Sequence, residues 1–219
     1  MLTQQALNTE IVPLCLEDSV QAALLKMDEC GANTLPVIDD GERLAGQVTR
    51  AELEESPGER VADVEMEEAV KVYGTQHVFE AARLMLQYEL RLLPVIDGEW
   101  GYRGVITKQK VLESLGRMLN LAKQGSVITV QLDFIDFTLS EMVHLIETEG
   151  AKILGITVET PAGDDNSFHV SFKLNVEDVS RVASALRRHD YRVATEARNE
   201  SFGMDMESRA DELLRYLDM

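Results

Sequence analysis

Apolar positions recur in this chain at two spacings, and the whole arrangement is written twice. Between Asp18 and Gly31, Val20, Ala23, Leu24 and Met27 fall three and four residues apart, the spacing of one helix face. Asp18 or Ser19 stands where an N-cap belongs and Gly31 where a helix stops. "TLPVID" is then a short apolar strand, Asp39-Asp40-Gly41 has turn chemistry, and "RLAGQVT" predicts a second strand before the short acidic helix "RAELEE". After the polar linker "ESPGER" the series returns: helix "HVFEAARLMLQYE", strand "LLPVID", a turn at Gly98, strand "YRGVIT" and a longer helix "KQKVLESLGRMLNLA".

The two copies superpose without a gap at an offset of 58 residues, placing Val12 on Val70, Val20 on Val78, Ala23 on Ala81, Met27 on Met85, Gly46 on Gly104 and Thr49 on Thr107. The matches fall mainly at apolar, glycine and proline positions, which set a core and its turns. This is an internal structural repeat. Each copy predicts βαββα, a short extended piece followed by helix, strand, strand and helix.

Beyond Gln124-Gly125 the pattern changes. "SVITVQLDF" alternates strictly, with Ile128, Val130, Leu132 and Phe134 on one face. "TLSEMVHLIETEG" opens with the capping-box pair Thr138 and Glu141 and carries a stripe of Leu139, Met142, Val143 and Ile146. Strands "KILGITVET" and "SFHVSFKL" follow, joined by "PAGDDN". A helix with Asn175 as its expected cap turns Val179, Val182, Ala183 and Leu186 inward, and "YRVATEA" is the last strand. The order βαββαβ is the split βαβ, or ferredoxin-like, arrangement. The expected fold is therefore α+β, with repeats at 1–60 and 61–122, a third domain at 125–198 and an acidic helical tail at 199–219.

Composition narrows the function. A formal net charge of −18 over 219 residues disfavours broad nucleic-acid binding, which needs a basic footprint, and adhesion to anionic membranes. No apolar run approaches the roughly 20 residues that span a bilayer, and the start "MLTQQALNTE" has no signal-peptide pattern. With Cys15 and Cys30 in no metal or redox spacing, the expected setting is cytoplasmic with reduced thiols.

The "LPVID" strands and the pattern Gly-x-x-Thr-x-x-acid, met as Gly46, Thr49 and Glu52, resemble a tandem pair of CBS domains, or Bateman module, over about residues 5–119. In the second copy Gly104 and Thr107 match, but Lys110 replaces the acid. The C-terminal part is similar to an ACT domain, and the order CBS–CBS–ACT resembles acetoin-utilisation accessory-type proteins. The resemblance implies a pseudo-twofold pair with two clefts, and an adenosine ligand (AMP, ADP, ATP or S-adenosylmethionine) as effector. It assigns Thr49 and Thr107 to phosphate and Glu52 to ribose hydroxyls, with Arg50, Arg91 and Lys108 neutralising phosphate. Lys110 only donates, so it suits phosphate and not ribose. The bland alternative makes both threonines helix caps and the charges solvated surface.

The ACT-like part lacks the glycine expected between its first strand and helix. There the chain reads "DFIDFT", which favours dimerisation over amino-acid binding. No GxSxG, P-loop, HExxH or GxGxxG is present, and His77, His144, His169 and His189 are scattered. His144 with Glu147 lacks a third metal ligand nearby, and Asp164-Asp165 lacks EF-hand spacing. The expectation is no enzyme and no catalytic cofactor. It is a homodimeric regulator that relays ligand binding to a partner enzyme, or else a ligand-free scaffold.

Overall fold

The structure, a computed structural model, describes residues 1–56, 58–133, 138–161 and 167–197. The chain divides into two compact units, Met1–Leu115 and Gly116–Met219.

In the first unit each repeat builds a three-stranded sheet and two helices. β1 (Leu14–Cys15) pairs in parallel with β2 (Thr34–Ile38), which pairs antiparallel with β3 (Leu44–Thr49); α1 (Val20–Cys30) and α2 (Arg50–Glu55) complete the copy. The second copy runs β4 (Val72–Tyr73), α3 (Val78–Gln87), β5 (Leu92–Ile96), β6 (Tyr102–Thr107) and α4 (Lys108–Met118). Its registers are the same. Leu35 faces Val48 as Leu93 faces Ile106, and a bulge falls at Val37/Ile38 as at Val95/Ile96.

Ser19 is the cap of α1, its hydroxyl accepting from the Ala22 N–H at 3.1 Å, and Gly31 ends that helix in the left-handed region at φ 58°. Both "LPV" strands are fully buried, and the main core of the first repeat takes in Leu92 and Val105 from the second. The hairpin tips also join. Leu44 N–H donates to the Trp100 carbonyl at 3.1 Å and Tyr102 N–H to the Glu42 carbonyl at 2.9 Å.

The repeats exchange straps at their outer strands. Asn8 pairs with Val105 of β6 in both directions (2.7 and 3.2 Å), and Glu67 pairs with Gln47 of β3 likewise (3.0 and 3.2 Å). The segment ahead of the first copy thus edges the second, and the segment ahead of the second edges the first. The motif glycines make room for these crossings. A Cβ at Gly46 would stand 2.9 Å from the Glu67 carbonyl oxygen, and one at Gly104 would stand 3.3 Å from that of Asn8.

In the second unit, β7 (Ser126–Asp133), α5 (Leu139–Thr148), β8 (Ile153–Glu159), β9 (Ser167–Leu174), α6 (Ser180–Arg188) and β10 (Arg192–Ala197) form a βαββαβ series. The antiparallel sheet has the order β10-β7-β9-β8. Its core joins Ile128, Val130 and Phe172 to Met142 and Ile146 of α5 and Val182 and Leu186 of α6.

Two expected caps are corrected. Thr138 precedes α5 but its side chain makes no capping hydrogen bond, and the Glu141 carboxylate instead accepts from the Tyr191 hydroxyl at 2.8 Å. Asn175 does not cap α6, which starts at Ser180 after Val179; its side-chain oxygen accepts from the Lys152 N–H at 2.6 Å. Phe134–Phe137 of the "DFIDFT" loop, Asp164-Asp165 and the tail from 198 onward lie outside the described residues.

Candidate functional site

Thr49 and Thr107 occupy equivalent corners where a strand becomes a helix. Thr49 ends β3 opposite Thr34, and Thr107 ends β6 opposite Leu92. At both corners the next backbone amide ties back to the residue ahead of the paired strand: Arg50 N–H to the Asn33 carbonyl at 2.8 Å, Lys108 N–H to the Arg91 carbonyl at 2.9 Å. Asn33 and Arg91 are themselves equivalent at the offset of 58.

A cavity of about 110 Å³ is lined by Asn33 and Thr34 from the first copy and by Glu89, Arg91 and Leu92 from the second; Thr34 and Leu92 are the strand partners of Thr49 and Thr107. Asn33 and Thr34 are equivalent to Arg91 and Leu92 at the offset of 58, so both copies contribute to it. Asn33 and Thr34 were missed as site residues from sequence. The signal was present, since the offset that marks Arg91 also marks Asn33.

The first corner is closed on itself. The Glu52 carboxylate accepts from the Thr49 N–H (2.6 Å) and hydroxyl (2.7 Å), while the Thr49 hydroxyl oxygen accepts from the Glu52 N–H at 3.3 Å. This is a capping box, in which cap and third helical residue satisfy each other's backbone amides. Glu52 therefore faces Thr49, and a ribose would have to compete for its carboxylate. Arg50 pairs with Asp28 and, at 3.7 Å, with Glu54.

The second corner is more open. Thr107 caps α4 by accepting from the Lys110 N–H at 3.2 Å, with no carboxylate to close a box. The Lys110 ammonium reaches Glu113 at 3.0 Å. Arg91 is exposed and donates from Nη1 to the Gly31 carbonyl at 3.2 Å, and Lys108 is exposed. Of the sequence-derived set, Arg91 lines the small cavity, and Thr49 and Thr107 adjoin it through their strand partners Thr34 and Leu92; Arg50, Glu52, Lys108 and Lys110 are not among its lining residues.

A larger cavity, about 460 Å³, opens in the second unit beside Asp133, Thr138, Glu141, His189 and Tyr191. His189 Nδ1 stands 3.8 Å from Glu141, and among the described residues no group of three His, Cys, Asp or Glu side chains could hold a metal ion. No helix among the described residues is long and apolar enough to cross a membrane.

Comparison with known proteins bears on the first unit. The family model described as "CBS domain" matches residues 5–56 and again residues 61–117. Over 111 residues the chain is 26% identical to the carnitine transport ATP-binding protein OpuCA of Listeria monocytogenes, a stretch covering 50% of this chain and 28% of that protein. Among solved structures it is similar to CBSX2 in complex with AMP, at 25% identity and TM-score 0.47, covering 53% of this chain and 96% of that one. A CBS domain pair/ACT domain protein from Thermotoga maritima is similar at 21% identity and TM-score 0.48, covering 53% of this chain and 98% of that one. The shared registers and the two family matches make residues 5–117 a tandem pair of CBS domains, the family to which this half of the chain belongs.

Proposed function

We propose that the CBS pair is a regulatory sensor that takes an adenosine nucleotide between its repeats and passes the binding energy to a dimer interface or a partner enzyme, and that it is not a catalyst. The observation that carries this reading is one cavity lined from both copies, by Asn33 and Arg91 and by Thr34 and Leu92, the strand partners of Thr49 and Thr107. A ligand seated there touches both repeats at once, so it favours whichever relative orientation of the repeats it fits better. The C-terminal βαββαβ unit, read as ACT-like, is the proposed relay and dimerising element.

A second reading, a scaffold without a ligand, has one observation in its favour. The Thr49–Glu52 capping box already satisfies the groups that a ribose would use.

Thermal melting of ligand-stripped protein with and without AMP separates the two. A ligand at a hundred times its Kd stabilises the native state by about 2.7 kcal/mol. The control is Glu52→Gln, because glutamine still serves a capping box whereas alanine would remove it. A rise in Tm that Glu52→Gln diminishes supports the sensor. An unchanged Tm with AMP, ADP, ATP and S-adenosylmethionine supports the scaffold.

A further inference from the structure

The boundary between the two units, Leu115/Gly116, falls inside α4, so one helix belongs to both halves of the chain. It leaves the second corner with no linker. Thr107 caps it by accepting from the Lys110 N–H at 3.2 Å, and its first amide, Lys108 N–H, is tied to the Arg91 carbonyl at 2.9 Å. The counterpart helix α2 ends after 6 residues, whereas α4 runs for 11. Between Thr107 and Asn120 the chain holds a single glycine, Gly116, and no proline. A hydrogen-bonded helix of this kind carries a displacement from one end to the other, where a Gly/Ser linker would absorb it.

The far end of α4 is fastened. Asn120 stands in the left-handed region at φ 52°, its N–H donates to the Arg117 carbonyl at 3.1 Å, and Leu121 N–H donates to the Gly116 carbonyl at 2.9 Å. These are the two bonds of a Schellman stop, whose left-handed position is usually glycine. The asparagine side chain has its own use there: Nδ2 donates to the Leu154 carbonyl at 2.7 Å.

Leu154 is the residue that the β8–β9 ladder skips, since pairing passes from Ile153–Leu174 to Gly155–Lys173. The bulge lies on an edge strand of the sheet. Next to it, Gly155 admits the backbone of Leu119. A Cβ at Gly155 would stand 3.3 Å from the Leu119 carbonyl oxygen and 3.6 Å from its Cα. Asn120, Leu154 and Gly155 all belong to the second unit. A side-chain bond, a skipped residue and a glycine thus meet where α4 stops.

We infer that Asn120 is a positioning residue, a latch through which α4 couples the state of the Thr107 corner to the edge strand β8. Asn120 acts through Leu154 and touches no ligand. For its natural signal the inference rests on the sensor reading, to whose relay it gives a route and a residue; the coupling itself is a property of α4 and needs no ligand to be measured.

The experiment is hydrogen–deuterium exchange of the ligand-stripped full chain, read by mass spectrometry in peptides covering 153–159. Wild type, Thr107→Ala, Asn120→Gly and the double variant are compared. Glycine keeps the left-handed stop of α4 and deletes only the latch, so the fold is preserved. Thr107→Ala, which removes the cap at the opposite end of α4, is expected to speed exchange in β8 by roughly two- to tenfold, the span that one net hydrogen bond represents. In the Asn120→Gly background the same substitution should have no further effect on β8. AMP added to wild type should shift exchange in the same peptides, and Asn120→Gly should abolish that shift while its AMP Kd, read by calorimetry, stays unchanged.

A contact that merely holds the second unit together gives another pattern: Asn120→Gly speeds β8 exchange, but Thr107→Ala leaves β8 alone or acts on it equally in both backgrounds. Either result overturns the inference, as does AMP that binds without moving β8. If AMP does not bind at all, the sensor reading falls, and the Thr107 and Asn120 variants still decide the latch.

Discussion

Replacing Gly46 by alanine tests whether the exchanged strap holds the two repeats together. A Cβ at this position meets the Glu67 carbonyl oxygen at 2.9 Å and the Met66 Cβ at 3.3 Å, and the nearer neighbour is backbone. Relief requires the strap to move away from β3. That movement strains or breaks the paired Gln47–Glu67 bonds of 3.0 and 3.2 Å beside a buried Gln47. Two net hydrogen bonds at about 0.5–1.5 kcal/mol each give a loss of roughly 1–3 kcal/mol. Against this, a Gly→Ala change whose backbone suits alanine recovers about 0.4–1 kcal/mol from the unfolded chain. A net loss of about 0–2.6 kcal/mol remains, centred a little above 1 kcal/mol. Gly98→Ala is the matched control: nothing lies within 4 Å of its Cβ, so only the gain should appear. Urea unfolding followed through Trp100, the chain's single tryptophan, reads both variants in the same unit. If Gly46→Ala proves as stable as Gly98→Ala, the strap does not hold the pair and the account of the motif glycine is wrong.

Three further outcomes are expected. The buried Tyr102 hydroxyl has no hydrogen-bond partner among the described residues, and burial pushes its pKa upward; Tyr102→Phe should therefore leave the melting temperature unchanged or raise it, by up to about 1 kcal/mol of stability. The Asp97 carboxyl accepts from the backbone N–H groups of Glu99 and Gly101 and pairs with Arg103, which together hold its pKa below the usual carboxylate value. A depressed folded-state pKa means that this stabilisation is complete above about pH 4 and is lost as pH falls through the folded value. Asp97→Asn should flatten that part of the acid-unfolding curve. Cys15 is exposed, whereas burial and then neighbouring Glu29 raise the pKa of the Cys30 thiol. Iodoacetamide at neutral pH should label Cys15 first, as mass spectrometry of tryptic peptides would report; faster labelling of Cys30 would contradict this.

What could be read from sequence was whatever side chains record locally. The paired "LPVI" strands, the Ser19 cap and the Gly31 stop are short-range features, and each stands where its chemistry places it. The strap exchange is different in kind. It is made by backbone bonds from Asn8 and Glu67, and its visible trace in sequence is Gly46 and Gly104, which also fit a ligand motif. The two corrected caps have a similar cause. Glu141 is drawn off by Tyr191, fifty residues later, and Asn175 by Lys152, twenty-three residues earlier, partners that local spacing does not reveal. At the candidate site the helix-cap reading of Thr49 and Thr107 was legible, but the engagement of Glu52 in a box with Thr49 was not. A capping box and a ribose acceptor require the same Thr-x-x-acid spacing.

The most direct measurement is a calorimetric titration of ligand-stripped full-length chain with AMP, with Kd and stoichiometry as readouts. The account predicts saturable micromolar binding at one site per chain, weakened about tenfold by Glu52→Gln or by Arg91→Gln. No heat at millimolar AMP, confirmed by an unchanged melting temperature, would contradict it and leave the CBS pair as a scaffold.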